Sequence, residues 1–203
     1  MLRTRLIVGT LLIAALVGLC WLDHGAAVPG IWLLPVLVAF VALATQELLA
    51  LLSANAPSPV AWVVYVGNML VLLSPWGPLA MTMAQGVGIP SQGMPISYGG
   101  PALGAGDWVV GALAISVVLA IVAEMARYQQ AGRVTTDLAA AVLAITYLGL
   151  LLSFAVRLRL DWGIGGLASL VIVVKMGDTG AYFVGKGIGR RPMAPRLSPK
   201  KTV

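Results

Sequence analysis

The residues whose types and spacing can do chemistry lie between Lys175 and Val203, KMGDTGAYFVGKGIGRRPMAPRLSPKKTV. Asp178 stands inside an apolar segment, where an ionised carboxylate costs about 2.5–3.5 kcal/mol on insertion scales and so needs a partner or a task. Lys175 lies three residues earlier, one helical turn away on the same side, so the two charges can neutralise each other and do nothing more. The functional alternative rests on Gly177 and Gly180, which flank the acid and let a ligand or another backbone approach closely. Asp178 would then be a ligand for a divalent cation, which takes oxygen donors and keeps phosphate and water in its shell.

Gly180-Ala-Tyr-Phe-Val-Gly185-Lys186 has the spacing of a phosphate-binding loop, G-x-x-x-x-G-K-[ST], but fails as one. Gly187 replaces the required hydroxyl, and no strand precedes the loop. Gly185, Gly187 and Gly189 around Lys186 can still form a turn whose N–H groups meet an anion, or simply a membrane-exit loop. Ser198-Pro199 reads as the start of a helix, a capping hydroxyl followed by proline at the first helical position. Such a start offers N–H groups and partial positive charge to a phosphate, with Lys200, Lys201 and Thr202 adding charge and a hydroxyl. Arg190, Arg191 and Arg196 read as side chains that snorkel to anionic headgroups.

The elements that must position these groups are set by composition. With 60% hydrophobic residues and only 10% charged ones, against about 25% charged in soluble domains, the chain reads as an integral membrane protein. Its fold class is expected to be all-α, a polytopic bundle of about six transmembrane helices near 6–22, 31–52, 60–79, 108–127, 138–156 and 163–184. Residues 1–184 would form the membrane region and 185–203 a basic cytoplasmic segment that opens a catalytic region. The first run also has the look of a signal peptide, but seventeen apolar residues followed by further spans favour a retained helix. Ser53 to Pro59 reads as a turn, and Pro75, Gly77 and Pro78 are expected to fray the third span. Ala80 to Gly106 holds seven glycines, three prolines and no charge, so it cannot be a regular lipid-facing helix. Asp107 suits the N-cap of the fourth span, and Arg157, Arg159 and Asp161 mark a connection between the fifth and sixth. Cys20 is the single cysteine, which excludes an intrachain disulfide.

Sidedness follows from the basic residues. With Arg3 and Arg5 in the cytoplasm, ten cations fall inside, only Arg157 and Arg159 outside, and Lys175 within a span. Glu47 and Glu124 then lie near the inner ends of their helices, on the side where the segment after Lys175 emerges. The net charge of +6 is thereby assigned to membrane sidedness and anionic headgroups, and no nucleic-acid partner is expected.

The run Asp178-Thr-Gly-Ala-Tyr-Phe, then Gly185-Lys186, Gly189-Arg190, Ala194-Pro195 and Ser198-Pro-Lys-Lys-Thr202, resembles bacterial phosphatidate cytidylyltransferases, also called CDP-diacylglycerol synthases. The resemblance covers about 25 contiguous residues; upstream it extends only to a polytopic chain with Glu47 in a similar place. It implies a multi-pass enzyme of the bacterial inner membrane that condenses CTP with phosphatidic acid to CDP-diacylglycerol and pyrophosphate, using Mg²⁺. In that reading Asp178 is catalytic and holds the metal, while Lys186, Ser198, Lys201 and Thr202 bind phosphates. Members of the family continue past this motif into further helices with more aspartates, so the chain reads as an amino-terminal portion. Expected partners are CTP, phosphatidic acid and membrane lipids, with room for a homodimer. Two other classes remain open from the residues: a CTP-dependent lipid or polyprenol kinase, and a transporter using Lys175/Asp178 and the glycine-broken stretch as a midplane site.

Overall fold

In hydrocarbon no water satisfies the backbone, so an apolar run must close its own hydrogen bonds, and a helix does so within one segment. The computed structural model describes residues 2–53, 58–86, 104–128, 133–187, 192–194 and 198–202, excepting the side chains of 2–10, 12, 13, 105, 186, 192–194 and 198–202. Its helices are α1 (Leu2–His24), α2 (Leu34–Ser53), α3 (Ala61–Leu73), α4 (Gly77–Ala84), α5 (Ala105–Ala126), α6 (Arg133–Ala144) and α7 (Leu151–Gly187). A 3-10 turn (Ser74–Trp76) joins α3 to α4, and a π-helical turn (Ile145–Leu150) joins α6 to α7. Two short strands, β1 (Pro192–Ala194) and β2 (Ser198–Thr202), pair antiparallel, with Pro192 opposite Thr202 and Ala194 opposite Ser198. The helical class expected from composition holds. The chain forms two compact units, Met1–Ile164 and Gly165–Val203.

Four helical stretches among the described residues are long and apolar enough to cross a membrane: Leu34–Ser53, Ala61–Ala84, Gly106–Ala126 and Arg133–Gly185; Ala14–His24 is a shorter apolar helix. The expected fifth and sixth spans lie within the 53-residue stretch Arg133–Gly185, more than twice the roughly 20 residues of one crossing, and this stretch is two helices that meet at a kink at Gly163. Arg157, Arg159 and Asp161 are helical rather than a connection, because Arg157 Nε reaches Asp161 Oδ2 at 3.1 Å one turn on and Arg159 is paired elsewhere. The backbone leaves the helix instead at Gly163, with φ 67°, a conformation that glycine adopts without a Cβ clash.

In the first unit α3 is the centre. Val63, Val64 and Val71 pack with Val109 and Ala120 of α5 and with Ala141, Ala144 and Ile145. On another side Leu72 packs with Val41 of α2 and with Val156 and Leu160 of α7. Lipid tails are as apolar as leucine, so close packing rather than transfer from water holds such helices together, and small residues set the approach. Gly67 is one: a Cβ there would stand 2.8 Å from Ile145 Cδ1. Outward-facing Phe40, Leu43, Val110, Val122, Leu143 and Phe154 stay exposed, as a surface solvated by hydrocarbon requires.

Pro75, Gly77 and Pro78 do not fray the third span. Each proline sits in the first turn of a new helical segment, where its missing N–H is not needed, and the chain continues to Ala84. Of Ala80 to Gly106, residues 80–84 are helical and 87–103 lie outside the described residues, as do 54–57 of the expected turn. Asp107 is not the N-cap of α5. Gly104 is, and the Asp107 carboxylate reaches back to accept the Gly104 N–H at 2.8 Å while its own N–H donates to the Gly104 carbonyl at 2.9 Å. Ser198-Pro199 does not open a helix. Ala194 precedes Pro195 and Ser198 precedes Pro199, and a following proline drives a residue out of the α region into extended backbone, which here becomes β1 and β2.

Candidate functional site

In the second unit the apolar second part of α7 carries the expected site. Lys175 and Asp178 are both exposed, and no ion pair joins them among the described residues. Mutual neutralisation is therefore not what the carboxylate does in this structure. Helical spacing puts Lys175, Asp178, Tyr182 and Gly185 on one face. Beside Asp178, a Cβ at Gly177 or Gly180 would meet nothing within 4 Å, so the carboxylate is flanked by open space on its own helix. Tyr182 and Phe183 stand edge to face, ring centroids 5.8 Å apart.

Lys186 lies eight residues beyond Asp178 on α7, and Ser198, Lys201 and Thr202 share β2. Their side chains lie outside the described residues. As a strand, β2 has no helix N-terminus to offer, so any anion recognition there falls to side chains and strand N–H groups. No three His, Cys, Asp or Glu side chains among the described residues gather as a metal site would need. One exposed carboxylate does fit Mg²⁺ that arrives with a nucleotide, since that ion is commonly held through one or two carboxylates plus substrate phosphates.

Glu124, expected near the reacting groups, is only 3% exposed and accepts the Val60 N–H at 3.1 Å, so it caps the entry to α3. Glu47 is exposed on α2. Sequence reading passed over the buried polar groups of the first unit. Asn68 donates from Nδ2 to Thr45 Oγ1 at 2.9 Å, its Oδ1 buried without a hydrogen bond, and Asp23 accepts from Arg159. The cost of polar groups inside spans, applied to uncharged residues as well as to Asp178, is the signal that would have flagged Asn68.

A family model for cytidylyltransferases matches residues 3–203. The chain belongs to the cytidylyltransferase family. Together with the apolar helices, membership makes it a multi-pass membrane protein of a nucleotidyltransferase family, as the motif at residues 178–202 suggested. The phosphatidate cytidylyltransferase of Bacillus subtilis (strain 168) is 40% identical over 63 residues, which is 30% of this chain and 23% of that relative. The matched stretch thus spans under a quarter of the relative's length. No solved structure matches this chain.

Proposed function

We propose that the protein acts in phospholipid biosynthesis as a phosphatidate cytidylyltransferase. A phosphate oxygen of phosphatidic acid attacks the α-phosphorus of CTP, the bond from that phosphorus to the bridging oxygen breaks, and CDP-diacylglycerol and pyrophosphate form. What supports this most directly is the family match over residues 3–203, combined with a carboxylate that has no ion-pair partner among the described residues and stands among open glycines on an apolar helix.

Asp178 would hold a Mg²⁺, which when bound would supply positive charge to neutralise the charge that builds on the leaving pyrophosphate. Lys186, Lys201, Ser198 and Thr202 bind phosphate oxygens as point charges and hydroxyl donors. Both substrates meet at the cytoplasmic face of the inner membrane, in keeping with the ten basic residues that the sequence assigns to that side.

The test uses the complete protein. Asp178→Asn is expected to abolish CTP-dependent formation of CDP-diacylglycerol while membrane insertion stays intact; unchanged turnover removes Asp178 from the mechanism. Pyrophosphate as the released product supports cytidylyl transfer, whereas release of CDP would assign the protein to the lipid kinases.

A further inference from the structure

The polar connection between α5 and α6 brings two guanidinium groups to one oxygen. Arg127, just past the end of α5, donates from Nη1 to the Ser58 carbonyl at 3.1 Å and from Nη2 to Ser58 Oγ at 3.4 Å. Arg133, the first residue of α6, donates from Nη2 to the same Oγ at 3.0 Å. A hydroxyl supplies no counter-charge of its own, so two like charges share a neutral acceptor, with Asp137 pairing Arg133 through its other oxygen at 3.7 Å.

The neighbouring carboxylates are largely committed to the backbone. Glu124 accepts the Val60 N–H, and Asp137 accepts the Ser58 N–H at 2.7 Å while Arg133 Nε stays 3.7 Å from its other oxygen. Exposure separates the layers: the Asp137 side chain is 5% exposed and that of Arg133 56%, with Arg127 exposed as well. An anion approaching from outside therefore meets the arginines first. Two planar forks that converge in this way match the several acceptor oxygens of a phosphate.

The place in the chain says which phosphates come near. The apolar stretch Gly106–Ala126 ends one residue before Arg127, and α6 opens with the polar run Arg133 to Asp137 before its apolar part from Leu138. Both arginines therefore lie in the polar connection between two apolar runs, where lipid headgroups are met, and the exposed ring of Tyr128 suits the same level.

We infer that Arg127 and Arg133, gathered over Ser58, form a binding site for a phosphate group of the kind carried by an anionic lipid headgroup. The site uses no residue of the Lys175 to Thr202 segment and stands whether or not the proposed reaction is correct. On binding, phosphate oxygens replace Ser58 Oγ as acceptors, and the freed hydroxyl donates to the phosphate.

Short-chain phosphatidylglycerol, phosphatidylcholine and inorganic phosphate are titrated separately onto the detergent-solubilised full chain and read by native mass spectrometry. At about fivefold per interfacial arginine, R127Q/R133Q is expected to bind phosphatidylglycerol about thirtyfold more weakly, with phosphatidylcholine unchanged. A loss confined to phosphatidylglycerol supports the site as a headgroup site, and a parallel loss for inorganic phosphate supports it as a site for free anions too. Equal affinities in wild type and double variant, or an equal loss for phosphatidylcholine, would overturn the inference. Should the double variant not fold, R127K/R133K keeps the charge and removes the forks; weakened phosphatidylglycerol binding there supports the site, and unaltered binding overturns it. Asp178→Asn is expected to leave all three titrations unchanged.

Discussion

Arg159 Nε donates to Asp23 Oδ2 across 2.7 Å, joining residues 136 positions apart, and both side chains are buried. The same Asp23 accepts the N–H groups of Gly30 and Trp32, and Arg159 Nη2 donates to the Asp23 carbonyl. One carboxylate therefore ties the end of α1, the turn after it and the first part of α7.

Removing one member leaves the other charged and buried, so Asp23→Ala and Arg159→Ala are each expected to destabilise by about 3–5 kcal/mol. The double variant should lose less than the sum, because no orphaned charge remains. Thermal unfolding in detergent measures all three, and strict additivity would show that the pair is not coupled.

Glycines at helix crossings should respond according to what surrounds them. A Cβ at Gly67 would stand 2.8 Å from Ile145 Cδ1, and one at Gly149 2.9 Å from Asn68 Oδ1, whereas Gly111 has nothing within 4 Å. Alanine at 67 or 149 is expected to destabilise by about 1–3 kcal/mol through overpacking. At 111 it should stabilise by up to about 1 kcal/mol through helix propensity. The same unfolding assay separates the two classes.

Glu124 and Asp137 lend their carboxylates to the backbone entering α3. Glu124→Ala is expected to cost about 1–2 kcal/mol, in the range of a lost helix cap. Asp137→Asn, which keeps an acceptor oxygen for the Ser58 N–H, should cost less. Hydrogen exchange at residues 58–64 should quicken in the first variant and change little in the second.

Within the proposed reaction, Asp178 and Lys201 should separate by kinetic signature. Lys201→Ala is expected to weaken CTP binding roughly tenfold, as loss of one charge-assisted contact would. Asp178→Asn should instead remove turnover while metal-free CTP binding persists. Equilibrium binding of labelled CTP to the complete protein distinguishes them; normal affinity after Lys201→Ala would refute its phosphate role.

What the sequence determined by itself is the solvent and the family. Long uncharged runs leave a helix as the one economical way to satisfy backbone groups in hydrocarbon, so α2, α3 and α5 were legible, and contiguous Asp178 to Thr202 carried the family resemblance. Tertiary structure decided what depends on partners distant in the chain. Arg159 reads as a loop residue until Asp23, 136 positions away, gives its charge a buried mate and lets the helix run on to Gly163. Glu124 reads as an acid at the inner end of its helix until the Val60 N–H claims it, and Arg127 and Arg133 read as sidedness markers until Ser58 brings them together. Ser198-Pro199 shows the limit of local signals: the same two residues suit a helix start or an extended strand, and pairing with Pro192–Ala194 made the choice. Local patterns fix which conformations are cheap, but a charge or an unpaired N–H takes its meaning from whatever the fold sets against it.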